Sequence, residues 1–118
     1  MSLLWVFLGG GLGAVARYGV SLALPRAEGG FPWATLVVNV SGALLIGLCF
    51  AFMSGRESMR LFLIVGLLGG FTTFSTLSLE TLTLLQAREG GQALAYVSLT
   101  LFAGFLACWI GLRIGHYA

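Results

Sequence analysis

Leu61-Phe62-Leu63-Ile64-Val65-Gly66-Leu67-Leu68 runs directly into Gly69-Gly70-Phe71-Thr72-Thr73-Phe74-Ser75-Thr76-Leu77-Ser78-Leu79-Glu80. The first half of this stretch is apolar enough for the interior of a membrane. The second half is not: seven hydroxyls fall in the twelve residues from Thr72 to Thr83, and two adjacent glycines stand where the halves meet. Adjacent glycines make a break in a helix inexpensive. Unwound backbone at membrane depth persists only where it is buried in protein or lines a wet cavity. Broken helices near the midplane are a recurring way of freeing carbonyls to hold cations. Two readings follow from the residues: a third span broken mid-membrane, or a Gly/Ser/Thr face for helix packing.

The rest of the chain sets that stretch in a bilayer. Of 118 residues, 58% are hydrophobic and 8% are charged. A soluble domain usually carries about a quarter charged residues, so soluble enzymes are set aside, and the high apolar content with a net charge of +2 excludes disorder. All six basic residues are arginines and all four acidic ones are glutamates. So small a net charge leaves no footprint for nucleic acid. Cys49 and Cys108 sit in apolar runs without CxxC spacing and read as small hydrophobes rather than a disulfide or zinc pair.

Crossing a bilayer core takes about 20 apolar residues as helix. Charged or turn-forming clusters at 25–30, 54–60 and 88–91 divide the chain into four spans, about 3–24, 33–53, 61–86 and 93–115. These consume most of the chain, so the expectation is an all-α membrane protein made of one integral membrane domain, 1–118. The first span holds Arg17, lacks a basic leader and is needed by the rest of the protein, so it is not read as a cleavable signal. Trp5, Trp33, Trp109 and Tyr117 lie near span ends, where amphipathic rings favour the headgroup layer. Gly9 and Gly13, Gly66 and Gly70, and Gly111 and Gly115 have the small-residue spacing that lets helices approach closely in lipid.

Orientation is nearly balanced. One side holds Arg56, Arg60 and Arg113, the other Arg26 and Arg88. Three against two is too small a bias for the positive-inside rule to choose a topology. Such a chain can insert both ways, which makes an antiparallel homodimer possible.

Polar residues inside the spans are few. Thr35 and Asn39 share a helical face, as do Tyr96 and Thr100, while Ser98 projects elsewhere. An amide in lipid needs partners, so Asn39 is either interhelical glue or part of a polar pathway. Arg17 lies too deep to snorkel easily and should face protein or water. Glu80, the carboxylate within an apolar span, lies about two turns from that span's end, where a vestibule could hydrate it. Gly9-Gly10-Gly11-Leu12-Gly13-Ala14 matches G-x-G-x-x-A, but no strand precedes it and it lies in a span, so it is not a dinucleotide site. His116 lies at the end of the fourth span and is not read as a catalytic or metal-ligating residue. Without a paired acid and base or an oriented nucleophile, an enzyme is not expected. Hydroxyls, one amide and aromatic edges are donors without dense positive charge; they suit a small anion that sheds water yet must leave again.

Over essentially its whole length the chain resembles the Fluc (CrcB-type) fluoride channels. The resemblance rests on Gly69-Gly70-Phe71-Thr72-Thr73-Phe74-Ser75-Thr76 followed by Glu80, on Asn39-Val40-Ser41-Gly42, and on Ala16-Arg17-Tyr18. It implies four transmembrane helices per subunit and an antiparallel, dual-topology homodimer in the bacterial inner membrane. It also implies two fluoride pathways along the subunit interface and a structural sodium ion at the dimer centre, held by the backbone carbonyls of Gly69 and Thr72. Asn39 and Phe74 would stand beside fluoride, with Thr35, Ser75, Tyr96 and Thr100 as polar-track residues. Glu80 would lie near a pathway mouth, and Arg17 would be structural or electrostatic. Leu77 replaces a Phe frequent in the family, and Thr100 stands where Ser is more usual. A small dual-topology multidrug exporter is the alternative, but that class needs a carboxylate in the first span, where this chain has Arg17. A non-transporting assembly subunit would leave the hydroxyl-rich third span without a purpose.

Overall fold

The computed structural model describes residues 1–117, with Tyr117 as backbone alone; the ring expected to anchor there lies outside the described residues. Helix α1 (Ser2–Ala23) stops two residues before Pro25, and α2 (Trp33–Phe52) starts directly after Pro32, a ring that suits a helix start and interrupts a helix interior. The third span, Glu57–Gln86, is in two parts. Its first part, α3 (residues 57–71), is α-helical over Glu57–Arg60, π-helical over Leu61–Leu68 and α-helical again over Gly69–Phe71. Its second part is α4 (Phe74–Gln86), and α5 (Gly90–Tyr117) completes the chain. Among the described residues, four helices are long and apolar enough to cross a membrane. They sit close to the expected spans.

The break falls downstream of the glycines that suggested it. Gly69 is helical at φ −62°, ψ −38°, whereas Thr72 (ψ 157°) and Thr73 (φ −152°, ψ 122°) are extended. Two β-branched residues take the extended backbone, the conformation their side chains fit best. The glycines serve packing instead: a Cβ on Gly70 would run into the Gly10 carbonyl.

Two close helix pairs make the body, α1 with α3 and α2 with α5. Both are backbone-to-backbone contacts. A Cβ on Gly13 would collide with the Leu67 carbonyl and stand 2.8 Å from the Phe71 amide, and one on Gly47 would meet the Cys108 carbonyl. Lipid tails offer no hydrophobic drive between helices, so this close van der Waals packing has to hold them together. At the far end of α4, Leu77, Leu84, Ala93 and Tyr96 form a small buried cluster that Phe31 and Leu36 cover. The subunit is a slab of 49 × 30 × 20 Å, long enough to cross a bilayer core of about 30 Å and thin in one direction.

Candidate functional site

The break is built by four residues that tie two spans together. Asn39 on α2 faces the extended backbone of Thr73 as a neighbouring strand would: its Oδ1 accepts from the Thr73 N–H at 2.8 Å, and its Nδ2 donates to the Thr73 carbonyl at 3.0 Å. Thr73 then caps α4, its Oγ1 accepting from the Thr76 N–H at 3.2 Å. Three residues after Asn39, Gly42 leaves room for the Thr72 methyl, which a Cβ there would strike. Asn39 and Gly42 of the Asn39-Val40-Ser41-Gly42 motif are thus matched to the two residues at which the third span unwinds.

These contacts leave carbonyls over. In a continuous α-helix the Gly69 carbonyl would accept from Thr73 and the Thr72 carbonyl from Thr76; both amides are engaged elsewhere. The Gly70 carbonyl is taken by Arg17, whose Nε donates to it at 3.2 Å. Arg17 therefore faces protein, as its depth required. The Gly69 and Thr72 carbonyls, like that of Phe71, are left without their helical partners near the middle of the span.

Cavities flank the break. On one side a groove of about 360 Å³ is lined by Asn39, Gly69, Thr72, Phe74 and Thr100 among others. On the other a vestibule of about 240 Å³ carries Arg17, Arg26, Thr35 and Glu80. Thr73 lines both. Most of the expected residues thus fall into two groups that meet at the break, while Ser75 and Tyr96 line neither cavity.

Their hydrogen bonds sort them further. The Thr72 hydroxyl donates to the Leu68 carbonyl at 3.0 Å and that of Thr100 to the Tyr96 carbonyl at 2.7 Å, so both protons are spent within their own helices. Tyr96 is fully buried; its hydroxyl donates to Glu80 Oε1 at 2.9 Å, beside buried Thr35. The exposed side of the break retains donors. Thr73 Oγ1 and Ser75 Oγ lie 3.3 Å apart, so one bond joins two hydroxyls and leaves one proton to offer. One hydrogen of the Asn39 amide is likewise left over. The Phe74 ring is 80% exposed on the same side.

Two participants are not singled out by sequence reasoning. Thr73 is the pivot of the break, and its signal is present: a threonine preceding a helical run is a capping pattern. Arg26 counts in the sequence only toward the charge balance. Its Nη1 lies 3.7 Å from Glu80 Oε2, a pairing across 54 positions that no local pattern announces.

Four membrane-length helices, one broken and clamped by an amide with a cavity on either side, define a small multi-pass membrane protein with a few polar groups gathered at a break within one span. The chain belongs to the CrcB family: the family model for CrcB-like protein, Camphor Resistance (CrcB), matches residues 4–112. Among its relatives is a protein of Thermus thermophilus, 51% identical over 118 residues, covering 95% of this chain and 91% of the relative. Others come from Flavobacterium psychrophilum, 42% identical over 96% of this chain and 95% of the relative, and from a Methylobacterium species, 43% identical over 97% and 95%. Each of these relatives is named fluoride-specific ion channel FluC. The resemblance read from the third span is borne out at the level of the family.

Proposed function

We propose that this protein is a fluoride-selective channel that lets the anion leave the cytoplasm passively, and that it works as an antiparallel dual-topology homodimer in the bacterial inner membrane. The observation that carries the reading is the clamped break, with its remaining donors and the Phe74 ring on an exposed face. Irregular backbone cannot face lipid. A slab 20 Å thin cannot cover its own break, so a second copy is the natural cover, and the three-to-two arginine balance permits it to insert inverted.

Neutral donors suit the task. One amide N–H, one hydroxyl and a ring edge attract fluoride without the dense charge that would trap it. Asn39 and Phe74 contact the ion in this account, Ser75 and Thr73 extend the donor row, and Thr35, Tyr96 and Thr100 hold the walls. The carbonyls of Gly69 and Thr72, doubled by the second subunit, would hold a structural sodium ion, whose charge would pin the two breaks together. Fluoride enters cells as HF and ionises at neutral pH. A membrane potential negative inside then drives the anion outward at about 2.3 kcal/mol per 100 mV. The exporter alternative needs a carboxylate free to take substrate, and Glu80 is engaged by Tyr96 and Arg26.

Expression in bacteria made sensitive to fluoride tests the physiological reading. Growth in fluoride should be restored by the wild-type chain and not by Phe74→Ile; restoration by neither, with both proteins present in the membrane, would refute it.

A further inference from the structure

We propose that Arg26 is a positioning residue of the vestibule: its guanidinium holds the Glu80 carboxylate against Tyr96 and offsets that negative charge beside the anion's route. The inference rests on the channel reading above and adds to it a residue that contacts no pore donor.

Arg26 is mounted rather than loose. Its Nε donates to the Gly30 carbonyl at 2.8 Å, and its side chain is three-quarters buried. The turn that presents this carbonyl is closed by the Gly30 N–H donating to the Ala27 carbonyl at 2.8 Å. It also needs Gly29 at φ 71°, a left-handed conformation that side chains disfavour. The loop between α1 and α2 is therefore shaped to aim one guanidinium at one carboxylate.

That carboxylate has two distinct oxygens. Oε1 takes the Tyr96 hydroxyl at 2.9 Å, and Oε2 faces Arg26 Nη1 at 3.7 Å. The charged residues lining the vestibule are Arg17, Arg26 and Glu80, a net of +1. Without Arg26 the lining would be neutral overall, and Oε2 would lack its cation at the mouth through which an anion must pass. A partly exposed pair at this distance adds little to stability. Its effect on a passing anion is larger, because the net positive charge that Arg26 gives the lining attracts an anion into the cleft.

The test uses the full chain in liposomes, with Arg26→Gln and Arg26→Lys beside wild type. Fluoride efflux is read in an impermeant salt at about 0.01 M, where charges act over about 30 Å, and at about 1 M, where they act over about 3 Å. R26Q should assemble normally and conduct about tenfold more slowly at low salt, the lower end of what charged clefts contribute. The deficit should fade at high salt, and R26K should keep most of the wild-type rate. Wild-type efflux by R26Q at low salt, an equal deficit at both salts, an R26K as slow as R26Q, or failure of R26Q to assemble would each overturn the proposal. Wild-type efflux in the same vesicles reports separately on the channel: a conducting wild type with an unaffected R26Q refutes the role of Arg26 alone.

Discussion

Replacing Asn39 by Ala removes the clamp on the break without adding bulk or charge. Two bonds are lost, Oδ1 with the Thr73 N–H at 2.8 Å and Nδ2 with the Thr73 carbonyl at 3.0 Å. Bonds of this kind contribute about 0.6 kcal/mol on average between membrane helices and about 1.5 kcal/mol at the upper end of the usual net range. Loss of both therefore costs about 1 to 3 kcal/mol, or about 5- to 150-fold in the population of the unclamped break. The smaller value applies if water from the adjoining groove of about 360 Å³ reaches the bared Thr73 groups. Hydrogen exchange at the Thr73 amide reads the opening directly, and fluoride efflux from liposomes reads its consequence. Exchange should accelerate within that range and efflux should fall with it. Asn39→Asp should conduct even less, because the carboxylate keeps the acceptor for the Thr73 N–H but opposes both the Thr73 carbonyl and a passing anion. Unchanged protection of Thr73 together with wild-type efflux in Asn39→Ala would refute the clamp.

Further outcomes follow from other contacts. Phe74→Ile keeps apolar bulk but loses the exposed ring edge, so most fluoride flux should vanish while the dimer still assembles; near-wild-type efflux from a verified dimer would remove Phe74 from the pathway. Gly13→Val should abolish folded yield, because its Cβ would strike the Leu67 carbonyl, whereas Gly11→Ala, whose added carbon meets no other helix within 4 Å, should behave as wild type in size-exclusion chromatography. Adding two Lys to the 25–32 loop turns three arginines against two into three basic residues against four, and should bias that loop toward the cytoplasm. Fluoride resistance should then fall and recover on coexpression with a partner carrying two Lys in the 54–60 loop. Full resistance from either biased variant alone, with reporter fusions showing a single orientation, would contradict an antiparallel dimer.

The helices are legible because ten charges divide 118 residues into runs of membrane length, and Pro25, Pro32 and the 88–91 cluster punctuate them. The break is legible in outline from Gly69-Gly70 and the hydroxyls beyond. Its location is not, because Gly70 is needed against Gly10 and the unwinding passes to Thr72 and Thr73. Asn39 reads in the sequence as either glue or pathway, and its geometry supplies the means for both: two bonds to the break and one hydrogen left for the groove. Tyr96 is expected in a hydroxyl strip, but the helical spacing that aligns it with Thr100 cannot reveal that its own hydroxyl points to Glu80, sixteen positions away on another helix. Arg26 is hidden for the same reason. Local periodicity reports which residues share a face, and the ion pair between the 24–32 loop and α4 depends on how distant elements pack.

The most direct measurement is efflux from liposomes containing only this protein, loaded with potassium fluoride or potassium chloride and followed with ion-specific electrodes after valinomycin supplies the countercurrent. The account predicts rapid, passive loss of fluoride and retention of chloride, with Phe74→Ile vesicles retaining both. Equal release of the two anions, or retention of fluoride by correctly assembled wild-type protein, would contradict it.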